Sequence, residues 1–86
     1  MIYTETINIC KQAKEHNPKN HNTHMHWAFA NFKLGNVVKS IKKIRKGVTK
    51  MPYNADNWIV WGLILRTAGQ YKSAKHKFRK ALKIDP

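Results

Sequence analysis

Carboxylates are scarce in this chain. Glu5, Glu15, Asp56 and Asp85 stand alone against 17 lysines and arginines, giving a formal charge of +13 with histidines neutral. Scattered in this way, they offer paired-carboxylate catalysis no seat. The single cysteine, Cys10, excludes an intrachain disulfide framework and a multi-cysteine zinc site, and one thiol fits a reducing compartment. The longest apolar stretch, Trp58 to Leu65, falls far short of the ~20 residues a membrane span needs. Tyr3, Thr4, Glu5 and Thr6 interrupt the start with polar groups, unlike a signal peptide. No glycine-rich phosphate loop follows a strand, because no strand is predicted. Neither an enzyme nor a cofactor or metal site is expected, and the default is an intracellular, cytoplasmic protein.

What is present argues for folding. Hydrophobic residues make up 42% of the 86, and nine aromatics include three tryptophans. That is too much apolar ring surface for an unstructured basic tail. A chain of this length is one domain's worth, with a modest core.

The few prolines and glycines carry the organisation. Pro18, Pro52 and Pro86 are 34 residues apart in both intervals. Shifted by that period, Gly35 falls on Gly69, Trp27 on Trp61 and Ala28 on Gly62. Three-deep columns read Tyr3, Val37, Tyr71; Thr6, Ser40, Ala74; Cys10, Ile44, Phe78; and Ala13, Gly47, Ala81. Small residues align with small ones, and large apolar residues with large apolar ones. The chain repeats.

One period reads as a helical hairpin. Asn54 or Asp56 can cap an N-terminus, a helix runs through Trp58 to Thr67, and Gly69 ends it in left-handed geometry. In the second helix Tyr71, Ala74, Phe78, Ala81 and Leu82 recur at three- and four-residue steps, predicting one buried stripe. Asp85 precedes Pro86 and is pushed out of helical geometry. Residues 19–52 repeat the plan, with helices from about Asn22 to Leu34 and from the Gly35-Asn36 turn to about Lys50. Residues 1–18 supply only a second helix, which makes five.

Trp58-x-x-Trp61-Gly62-x-x-Leu65, then Gly69-x-Tyr71, Ala74, Phe78, Ala81 and Pro86, resemble a tetratricopeptide repeat at each signature spacing. The middle unit departs from the pattern: His24 replaces the first aromatic, Asn31 the tyrosine, Ser40 and Gly47 the alanines. The resemblance implies a single all-α domain, a right-handed α-solenoid of antiparallel hairpins. Its parts are a partial repeat (1–18), a degenerate repeat (19–52) and a well-matched one (53–86). Starting in mid-unit and stopping at a unit boundary, the chain reads as an excerpt from a longer array. Each unit buries its apolar face only by stacking on a neighbour.

The resemblance also implies a role in protein–protein interaction, as scaffold or adaptor. Peptide ligands of the family usually lie in a concave groove, which here would be lined by Met25, Phe29 and Phe32, then Ile59, Leu63 and Arg66, flanked by Asn22, His26, Asp56 and Val60. Met25, Phe29 and Val60 stand where the family's chaperone-tail clamp has lysine and asparagine, so such a clamp is not expected. An apolar groove suits an amphipathic helix or apolar peptide. The same residues would equally serve contacts with further repeats, or self-association through exposed ends.

The cations are also periodic. Lys43 aligns with Lys77, Arg45 with Arg79, Lys46 with Lys80, and Lys11 extends the arginine column. This stripe would attract an acidic protein segment, an anionic membrane surface or nucleic acid, or simply keep an outer face solvated. The aromatics are expected to serve packing rather than interleave with it, which weighs against nucleic acid. His21, His24 and His26 cluster in an inter-unit turn with no cysteine or acid beside them, so a solvated loop is expected, with His24 in the core.

Overall fold

A computed structural model describes residues 2–21 and 23–86, and among these residues helices joined by short turns are the one kind of regular structure. Five helices follow in order: α1 (Ile2–His16), α2 (Thr23–Lys33), α3 (Val37–Lys50), α4 (Ala55–Thr67) and α5 (Tyr71–Ile84). Successive helices pack on each other, with α2 also touching α4. The most extensive pairings lie inside the hairpins α2–α3 and α4–α5.

The punctuation residues act as expected. Gly35 and Gly69 take φ of +83° and +82°, a region that costs other residues energy. The amides that follow close the turns: Asn36 N–H donates to Asn31 O (2.8 Å) and Gln70 N–H to Leu65 O (2.9 Å). At the other helix ends, Met51 and Asp85 leave helical geometry (φ −134° and −139°) just before Pro52 and Pro86. Of the two candidate caps, Asn54 is the one used, its side-chain oxygen accepting from Asp56 N–H at 3.0 Å.

The centre of the core is Ala28, Ile44 and Ile64, one residue from each of three consecutive helices and all fully buried. Cys10 is buried on α1, as its place in the Ile44/Phe78 column implies. Gly62 explains the small column. A Cβ there would come within 2.5 Å of the Phe78 ring, so the α4–α5 crossing is as close as a bare backbone permits.

The predicted stripe of α5 is only partly buried. Ala74 and Ala81 are inside, but Tyr71 is 69% and Leu82 60% exposed. The reason is visible one period earlier. Val48, aligned with Leu82, is buried on a helix that packs against both α2 and α4, whereas α5 packs on α4.

Asn57, which nothing in the spacing marked, joins the hairpins. Fully buried, its amide nitrogen donates to Gly47 O at 3.3 Å and Met51 O at 3.5 Å. Those carbonyls already accept from Met51 N–H (2.8 Å) and Asn54 N–H (3.2 Å), so the side chain adds a second donor to each and ties α4 to the end of α3. Gly47 leaves room for it, since a Cβ there would meet Asn57 Oδ1 at 3.2 Å and His24 Cβ at 3.4 Å.

Candidate functional site

The six expected groove residues fall into two groups. Met25 and Phe32 on α2 pack half-buried against the central cluster, as does the flanking Val60. Phe29 lies edge-on to Tyr3 of α1 (6.4 Å between centroids) and tilted against Phe32 (6.3 Å), with the Lys33 ammonium 5.4 Å above its ring. On α4, Leu63 is half-buried, Arg66 exposed and Ile59 40% exposed. Ile59 also lines a separate depression with Phe78, Ala81 and Leu82 at the α4–α5 face. Of the other flanking positions His26 and Asp56 are exposed, and Asn22 lies outside the described residues.

The cations are not a simple outer stripe, and here the expectation that aromatics stand apart from them is corrected. The Lys43 ammonium sits 3.6 Å above the Trp27 ring, and Lys77, one period on, sits 4.0 Å above Trp61. Lys80 lies 5.7 Å from the Trp58 ring centre. The cause is hairpin geometry. A tryptophan on the first helix and a lysine on the second meet across the crossing, where the lysine stem covers the ring and the charged head rests on its negative face. Both pairs are sixteen residues apart in sequence, a recurrence that could have revealed them. Lys11, Arg45, Lys46 and Arg79 are exposed.

These pairs floor two clefts. The first, about 370 Å³, lies between α1 and α3: Ile7 and Lys11 come from α1, Trp27 and Asn31 from α2, Lys39, Lys42 and Lys43 from α3, with Asn36 at its cap. The second, about 240 Å³, lies between α3 and α5, with Ile41 and Arg45 from α3, Trp61 and Leu65 from α4, and Gln70, Ser73 and Lys77 at and in α5. Every residue of the second aligns with one of the first at the repeat period. Among the described residues, neither lining contains a carboxylate. Burial, with Lys46, Lys14 and Lys11 nearby, holds the Lys43 ammonium below its ordinary pKa.

His24 is buried, as its place in the column requires. Its ring stacks on His21 (5.6 Å, 17° between planes), the nearest nitrogens 3.5 Å apart. Among the described residues its buried Nδ1 has no hydrogen-bond partner. Burial first, then Lys14, His21, Lys43 and Lys46, lower its pKa to about 4. It is therefore neutral at physiological pH. Among the described residues no three histidines, cysteines or acids gather as a metal site would require.

Against models of known protein families, the chain matches the tetratricopeptide repeat over residues 55–86. Residues 55–86 are a tetratricopeptide repeat. The match covers α4 and α5 from the first residue of α4 through Pro86, and includes Trp61, Gly62, Phe78 and Lys77. Tetratricopeptide repeats are general protein-interaction modules and are generally not catalytic. No curated protein matches the chain. Among the described residues, no helix is long and apolar enough to cross a membrane.

Proposed function

We infer that this chain is a scaffold or adaptor module that receives a peptide or helix of a protein partner against the apolar side chains of α2 and α4. The reading rests on one observation: the tetratricopeptide repeat at 55–86 keeps Ile59 40% exposed on its first helix, with Leu63 half-buried one turn on. Exposed branched side chains on a stacked helix cost hydration free energy unless a partner covers them. Phe29, Ile59 and Leu63 supply the apolar contact, with Met25 and Phe32 behind them and Arg66 at the rim. In this reading α1 is the second helix of a preceding unit, and residues 19–52 form a divergent repeat stacked between it and the matched one. The basic residues of α3 and α5 draw an acidic partner in from a distance.

Leu63→Asp tests this. A carboxylate placed among these side chains would abolish capture of the partner by the intact protein, while far-ultraviolet circular dichroism stays helical. Undiminished capture by a folded variant would place the contact elsewhere. Polyanion binding through the cations is the competing function. It predicts oligonucleotide affinity that falls steeply with salt.

A further inference from the structure

The basic clefts on either side of α3 are a site in their own right. We propose that they bind an acidic segment of a protein partner in extended conformation, one carboxylate per cleft. This goes beyond the apolar contact on α2 and α4 but rests on the same reading of the chain as a protein-interaction module.

The charge points one way. Lys11 and Lys43 line the first cleft and Arg45 and Lys77 the second. With only four acids among 86 residues, the chain has little of its own to neutralise them. Each cleft is floored by an indole, Trp27 or Trp61, so apolar walls concentrate the positive potential within. A carboxylate entering there offsets repulsion among like charges already held close together. A second copy of this strongly basic chain is a poor occupant for the same reason.

The indoles also discriminate among anions. Proteins that hold single-stranded nucleic acid stack bases on open aromatic faces. Here Lys43 at 3.6 Å and Lys77 at 4.0 Å cover those faces. A base finds no platform, whereas a carboxylate finds an ammonium already fixed in place.

The separation sets the ligand's spacing. The clefts flank a single helix, and a helix with its side chains is about 10–12 Å across. An extended chain advances about 3.3 Å per residue. Acidic residues three or four positions apart would reach both clefts at once, and adjacent ones would not.

The test uses a fluorescein-labelled Gly/Ser peptide carrying two glutamates with three residues' spacing, read by anisotropy against the whole chain. Binding is expected to weaken roughly tenfold or more when the glutamates are made adjacent, and by a similar factor in Lys43→Gln/Lys77→Gln. Lys11→Gln/Arg45→Gln, at exposed positions, gives the same loss should the first pair disturb folding. Leu63→Asp leaves this binding unchanged. Three results overturn the proposal: no peptide binding at low salt, affinity indifferent to spacing, or an oligothymidine of matched charge that binds more tightly than the peptide. If the peptide fails while Leu63→Asp still abolishes partner capture, the clefts are refuted and the interaction module stands. Loss of neither binding nor capture in any folded variant refutes both.

Discussion

The two complete hairpins reach the same crossing by opposite means. In α2–α3, Ala28 faces Ile44; in α4–α5, Gly62 faces Phe78. The second surrenders a methyl to admit a ring. The contrast extends outward. The α2–α3 hairpin departs furthest from the repeat pattern and buries the polar residues His24, Asn31 and Ser40. The α4–α5 hairpin keeps the pattern but leaves Tyr71 and Leu82 in solvent. A hairpin packed on both flanks tolerates divergent letters, because its neighbours supply burial and two of those polar side chains bond locally. Asn31 Nδ2 donates to Trp27 O and the Ser40 hydroxyl to Val37 O. Agreement with a consensus and depth of burial are separate properties.

The strongest test of that contrast lies in the aligned pair Ile44 and Phe78. Ile44→Ala, at a fully buried site, is expected to cost about 3–4 kcal/mol. Phe78→Ala removes more atoms but from a half-exposed site, and should cost less, about 2 kcal/mol. Urea unfolding measures both, and the reverse order would break the account of neighbour-supplied burial.

Next comes the buried imidazole. His24 has a folded pKa of about 4, below the ordinary histidine value near 6.5. Its contribution is therefore whole above about pH 6.5 and is lost progressively as pH falls towards 4, because the unfolded chain takes up the proton first. The loss amounts to about 3 kcal/mol across that window. His24→Phe, restoring an aromatic where α4 has Trp58, should flatten the acid limb of the stability profile. A profile unchanged by the substitution would show that His24 is not the group responsible.

The smallest effect sharpens the crossing itself. Gly62→Ala gains helix propensity of about 1 kcal/mol but drives a methyl into the Phe78 ring, for a net loss of roughly 1 kcal/mol. Pairing it with Phe78→Ile recreates the Ala28/Ile44 combination and should recover part of that loss. Simple additivity in the double-mutant cycle would mean that the two positions do not constrain each other.

Helix boundaries were legible because proline and left-handed glycine act within a few residues of themselves: Gly69, Met51 before Pro52 and Asp85 before Pro86 behave as their local chemistry dictates. Burial was less so. Tyr71 and Leu82 carry the periodicity of buried residues, but periodicity names a face and not what covers it. Met25 and Phe32 were readable as apolar positions of a first helix, and their lean onto Ile44 and Ile64 depends on how α2 and α4 cross. The lysine–tryptophan contacts join two helices and escape any single-helix reading, although their equal separation in both hairpins leaves a trace. Asn57 left none, because its partners are backbone carbonyls.

That asparagine gives the molecule a mechanical character. One carboxamide holds the last turn of α3 to the first turn of α4, bracing the joint where a chain of hairpins would otherwise flex. Tilting one hairpin against the other would stretch both of these bonds, so the angle at the α3–α4 joint and the seat of Asn57 change together.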